Sequence, residues 1–151
     1  MKKYLIIYLF IMLFINNNVF AQSNAAGKQT ALITAVSITG TVVTIDADFV
    51  QMLTGKAAIK AAKKAGEAEY DLNKKGDTTW YVPNDYFVLN ENTKVRQLTL
   101  SANAQIFLIK EGTSSIAKSN AVKLKRSFEG KLFTLTIINN TVTVITEIYT
   151  P

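Results

Sequence analysis

The stretch FTLTIINNTVTVITEIY, Phe133 to Tyr149, sets two runs of β-branched and aromatic residues around Asn139-Asn140. Asparagine tolerates the positive φ that both central residues of a type I′ turn require, and that turn matches the twist of antiparallel strands. A two-residue loop there predicts Ile137 opposite Val142, Leu135 opposite Val144 and Phe133 opposite Thr146. The other face then pairs Thr136 with Thr143 and Ile138 with Thr141. One face is apolar and the other threonine-rich, the pattern of a sheet with one side on a core. A lone hairpin is marginal in water, so the rest of the chain must supply further strands.

It does so. TALITAVSITGTVVTIDADFV (30–50) reads as a second hairpin, turning at Thr39-Gly40. The period then changes in LTGKAAIKAAKKAG. Thr54 suits an N-cap, Ala57, Ala58, Ala61, Ala62 and Ala65 fill one side, and Gly66 stands where a C′ glycine belongs, so a helix is expected. EAEYDLNKKGDTTW is polar and reads as a long surface loop, while YFVLN, KVRQLTL and AQIFLIK are strands broken by ENT and SAN. SNAVKLKRSFEG alternates like a strand, but Ser119 as N-cap, Gly130 as terminator and the late cations Lys125 and Arg126 favour a helix. The order ββ-α-βββ-α-ββ with short connections predicts a single α+β domain. Six or seven mainly antiparallel strands should form a curled sheet or small barrel with two short helices.

The N-terminus predicts export. Lys2 and Lys3 precede the apolar run Tyr4–Ile15, and Val19 and Ala21 stand before a cleavage expected between Ala21 and Gln22. A run of about a dozen apolar residues is short of the roughly 17–25 that span a bilayer, so no transmembrane anchor is expected after cleavage. The expected organisation is a signal peptide over 1–21, a flexible lead-in over 22–29 and one domain over 30–151, periplasmic or extracellular. Loss of Lys2 and Lys3 with the leader takes the formal charge from +6 to about +4. Such mild basicity suits an anionic envelope component or another protein as partner, and is too weak for a nucleic-acid binder.

The chain contains no cysteine and no histidine. Disulfides, thiol chemistry, histidine-based catalysis and zinc centres are thereby excluded, leaving only oxygen-ligand metals. TGK (Thr54–Lys56) lacks the rest of a phosphate loop, and SIAK (Ser115–Lys118) lacks the partner motifs of a Ser-x-x-Lys enzyme. Asp46 and Asp48 should share one face of a strand, where paired carboxylates could do acid–base work, although a polar strand end is the simpler reading. Lys56, Lys60, Lys63 and Lys64 make a ridge that reads as the solvated side of the first helix. No catalytic residue, metal or cofactor is expected, and the chain does not read as an enzyme.

DTTWYVPNDYFVLNEN (Asp77–Asn92) concentrates the sole tryptophan, the internal proline and four aromatic rings. Pro83 holds Val82 extended and directs the chain into a strand. The favoured expectation is core entry, with Trp80 capping the open end of the core. The competing one is a ligand surface made of Trp80, Tyr81, Asn84, Asp85 and Tyr86, with Arg96 available for an anionic group.

DFVQMLTGKAA, NDYFVLNEN, VRQLTL and the terminal FTLTIINNTVTVITEIYTP together resemble a family of small, mostly exported bacterial proteins of unassigned function. Its pattern is a hairpin, an acidic-aromatic-Leu-Thr-Gly helix start, an Asn-Asp-Tyr-Phe-Val-x-Asn strand with an arginine nearby, and a closing hairpin. The resemblance spans nearly the whole chain after residue 21 and implies one domain. It assigns no catalytic residue. The expected function is an exported, non-enzymatic binding or interaction module. The alternatives are a small hydrolase using Asp46, Asp48 and Asp85, or a structural or inhibitor-like envelope protein.

Overall fold

The structure is a computed structural model that describes residues 26–150. The expected signal peptide, its cleavage site and the start of the lead-in lie outside the described residues.

Two long strands open the fold, β1 (Gly27–Thr39) and β2 (Val42–Thr54), followed by helix α1 (Gly55–Ala65) and the short strands β3 (Glu69–Leu72) and β4 (Thr78–Tyr81). A 3-10 turn (Pro83–Asp85) leads into β5 (Tyr86–Leu89), then β6 (Val95–Ile109), β7 (Ile116–Ser119), α2 (Ala121–Ser127), β8 (Leu132–Ile138) and β9 (Thr141–Glu147). The main sheet runs β5-β2-β1-β8-β9-β6-β7, and β2 pairs with β6 as well. That extra pairing closes β1, β2, β6, β9 and β8 into a five-stranded barrel, leaving β5 and β7 as appended edges. Among the described strands only β6 and β9 run parallel. Closure gives each of the five barrel strands a partner on both sides, so in this sheet open edges remain only on the short appended strands.

The barrel is filled from all five strands by residues such as Ile33, Ile45, Leu98, Phe133 and Ile145, and Leu124 of α2 completes this core. Helix α2 starts where Asn120 Oδ1 accepts the Lys123 N–H at 2.9 Å, and Lys125 and Arg126 lie in its last turn. Asn120 is therefore the cap in place of Ser119, which instead ends β7, a strand the sequence did not suggest. The first hairpin turns at Gly40-Thr41, with Thr39 opposite Val42, one residue beyond the expected position. β1 also begins inside the expected lead-in, because Gly27–Leu32 pair with Ile137–Leu132 of β8.

Two bulges correct the expected strand pattern. KVRQLTL and AQIFLIK are one strand, β6, whose pairing with β9 jumps between Leu100 and Gln105, so SAN is a bulge within it. In the last hairpin Asn139 and Asn140 have φ of 49° and 62°, and Ile137 faces Val142 as expected. Thr143 is then an extra residue, after which Thr136 faces Val144, Leu135 faces Ile145 and Phe133 faces Glu147. A bulge shifts every later side chain by one position. It brings Ile145 and Glu147 inward in place of Val144 and Thr146. The apolar-versus-threonine division therefore fails beyond the bulge.

Candidate functional site

Residues 55–94 interrupt the path between β2 and β6 and carry everything outside the barrel and its β7–α2 segment. Helix α1 ends at Gly66, whose own N–H donates to the Lys63 carbonyl at 3.2 Å and whose left-handed backbone (φ 76°) turns the Glu67 N–H back onto the Ala62 carbonyl at 2.9 Å. Ala58 and Ala62 are buried against Val82, Leu53 and Phe87, forming a second, smaller core. The small methyl groups allow close approach, while the lysines stay on the exposed side. At the helix start, Thr54 has the extended geometry of an N-cap, but its side chain makes no capping bond.

The stretch expected to be a loop is a hairpin. Tyr70 pairs with Trp80 and Leu72 with Thr78 on one face, and Glu69 pairs with Tyr81 and Asp71 with Thr79 on the other. Its tip is tied by one side chain. Asn73 Oδ1 accepts from the N–H groups of Lys75 (2.8 Å) and Asp77 (2.9 Å), and its Nδ2 donates to Asp77 Oδ2 (2.8 Å). Gly76 supplies the positive φ (85°) that the turn needs. On the acidic face, Tyr81 donates its hydroxyl to Glu69 Oε2 at 2.8 Å, and this bond holds the phenol above its ordinary pKa.

Trp80 does not cap either core. Its ring is half-buried between Tyr70, at 5.0 Å between centroids, and the Lys63 ammonium, 4.1 Å from the ring centroid. The residue that enters the core from this segment is Val82. Lys63 stays exposed on the solvated ridge while its ammonium lies on an aromatic face, an interaction worth about 0.5–1 kcal/mol where water has access. Trp80→Ala should cost roughly 1–2 kcal/mol, the sum of that contact and one aromatic pair, and well below the roughly 3–5 kcal/mol of a core aromatic. Denaturant midpoints measure the difference, and iodide should quench Trp80 emission in the native state.

The remaining candidate residues fall into separate places. Asn84 and Asp85 are exposed in the 3-10 turn with φ of 59° and 61°, and Tyr86 is half-buried opposite Thr54. Arg96 is on the barrel itself. Its guanidinium lies 4.5 Å from the Phe49 ring centroid, and Nη1 donates to the Lys94 carbonyl at 2.8 Å. No hydrogen bond or ion pair joins Arg96 to Trp80–Tyr86 among the described residues.

The acids do not converge either. Asp46 and Asp48 share the outer face of β2, but Asp46 accepts from Gln97 Nε2 at 3.2 Å and Asp48 from Asn90 Nδ2 at 2.6 Å. Asp85 precedes Tyr86, which pairs with Thr54, six residues beyond Asp48. At about 3.3 Å per residue that is roughly 20 Å away. Among the described residues no group of three acidic side chains could hold a metal ion.

The strand order of the barrel, with its one parallel pair, is the connectivity of an OB barrel, whose usual ligand face is the outside of its second and third strands. Here that face belongs to β2 and β6 and presents Thr44 and Asp46 beside Val95, Gln97 and Thr99, with Asp48 buried and bonded to Asn90. It carries carboxylates and no cation, so it is ill suited to phosphate, and fold alone assigns no function. No protein family, curated protein or solved structure matches the chain.

The features that sequence reasoning passed over are Tyr70, Leu72 and the contact from Lys63. Tyr70 is 56% exposed and Leu72 is 64% exposed, on the same hairpin face as Trp80. The available signal was the alternation Tyr70, Leu72 and Thr78, Trp80 on either side of an Asn-Lys-Lys-Gly turn.

Proposed function

We propose that the chain is an exported, non-enzymatic binding module whose partner-facing surface is the projecting β3–β4 hairpin together with the adjoining face of α1. The observation that carries this reading is the placement of Trp80. The costliest side chain in the sequence to leave wet stands half-buried outside both cores, next to the exposed Tyr70 and Leu72, with a lysine on its ring. A contiguous exposed apolar patch on a small domain marks an interaction site. Export rests on the charged and apolar pattern of residues 1–21, and the mild positive charge suits an anionic envelope component or another protein.

The test is retention of the protein by an isolated bacterial envelope fraction. Wild type should be retained, and the Tyr70→Ser/Leu72→Ser pair should lose at least about tenfold in affinity while keeping its far-UV circular dichroism. Equal retention of the pair and the wild type would remove the hairpin as the binding surface.

A further inference from the structure

We infer that the partner of this hairpin is an anionic lipid surface, into whose headgroup layer the β3–β4 tip inserts; the inference rests on the binding-module reading and narrows it. The first argument is the sorting of side chains between the two hairpin faces. Tyr70, Leu72 and Trp80 share one face, with Lys63 against it and Lys74 and Lys75 exposed at the tip. Glu69 and Asp71 project from the opposite face, where Glu69 is engaged by Tyr81, and the Asp77 carboxylate is held by Asn73. The Tyr70–Leu72–Trp80 face is apolar with a cationic margin, while Asp71 stays exposed among the acids of the other face. The apolar face complements lipid phosphates overlying acyl chains.

The second argument is residue type. Indole and phenol rings have an apolar body and a polar tip and concentrate at headgroup depth, while lysine keeps its ammonium in water and lays its stem on apolar surface. Leu72, near the tip, is the most exposed large hydrophobic among the described residues. An acidic polysaccharide would meet the lysines but has no use for an aliphatic side chain among them. The third is shape. The bonds made by Asn73 fix the tip before any partner arrives, so docking does not have to order a loop. Among the described residues the outer backbone edges of β3 and β4 also have no strand beside them. Unpaired backbone is not tolerated in hydrocarbon, so the hairpin is limited to the interface and does not span.

The experiment uses the chain from Gln22 to Pro151, the form expected after export, with phosphatidylglycerol and phosphatidylcholine vesicles, reading the emission of the only tryptophan together with co-sedimentation. Phosphatidylglycerol should shift Trp80 emission to the blue and shield it from iodide, phosphatidylcholine should do so far less, and salt should weaken the effect. A basic residue near an anionic leaflet is worth roughly fivefold in affinity, so Lys74→Glu/Lys75→Glu should weaken binding at least about twentyfold. Leu72→Asp should abolish the emission shift while the circular dichroism of these surface variants stays native.

Unchanged Trp80 emission with both lipids overturns the proposal. So does sedimentation of the hairpin variants like wild type, since binding would then run through another part of the chain. Retention by envelope fractions that depends on Tyr70 and Leu72, with no response to protein-free vesicles, overturns the lipid assignment alone and leaves the binding module standing.

Discussion

Val142→Asp is expected to lower the free energy of unfolding by on the order of 3–5 kcal/mol, a large part of the roughly 5–15 kcal/mol a domain of this size has. Val142 is fully buried, faces Ile137 across the hairpin and adjoins Leu100 of β6. A carboxylate there has neither water nor a partner, and each way of relieving it opens the barrel at the seam between β8, β9 and β6. The neighbouring Thr143→Asp provides the control. Thr143 is the bulge residue, half-buried, and its hydroxyl donates to the Thr136 carbonyl at 3.2 Å. Losing that bond should cost about 1 kcal/mol. Urea or guanidinium midpoints of the two variants should differ clearly. Equal loss would show that the bulge is misplaced and that Thr143 also points into the core.

Glu147→Ala should be the next most damaging, at roughly 3 kcal/mol. Glu147 is 4% exposed, and both of its oxygens are used: Oε2 accepts the Ile109 N–H at 3.0 Å and Oε1 pairs with Lys131 Nζ at 2.8 Å. Alanine leaves the Ile109 N–H without an acceptor where β6 ends. Lys131 is partly exposed and can return to water, so its side of the pair contributes less. Lys131→Met, which strands a buried charge, should cost about 1–2 kcal/mol, and the double variant should be less destabilised than the two losses added together. A thermodynamic cycle over the four proteins measures this coupling. Strict additivity would mean that the Lys131 contact contributes nothing.

These predictions draw on parts of the fold that differed in legibility. Asn139-Asn140 announced its turn because both residues must accept positive φ, which is a local requirement. Gly66 ended α1 for the same kind of reason. The helical choice for 121–127 was also local, set by cap chemistry and late cations. The bulges at 101–104 and at Thr143 were not legible. Each is set by the closing of β9 on β6, a condition between segments about forty residues apart in sequence, and nothing in SAN or TVT alone records it. The β3–β4 hairpin was missed because its strands contribute almost nothing to a core, so no apolar run marked them. For the candidate surface, proximity in sequence placed Trp80 and Tyr81 together on β4 but also enlisted Arg96, which belongs to the barrel wall. Lys63 lay too far upstream to be associated with Trp80. The chain returns to it only through the turn at Gly66.

The closing pair of the barrel also governs when the protein can fold. β1 needs β8 on one side, and β8 is held through β9, which docks on β6 in parallel. Until β9 has been synthesised, the apolar faces of β1 and β2 have no lid, and the β2–β6 pairing must first span the whole intervening insertion. Pairings of such high sequence separation form slowly, because chain entropy is lost before any contact compensates for it. The nascent chain should therefore stay open and unlatched until β9 is available, and the barrel should close in one late step when β9 docks on β6. A truncation that removes β9 alone would leave the other eight strands without a closed state to reach.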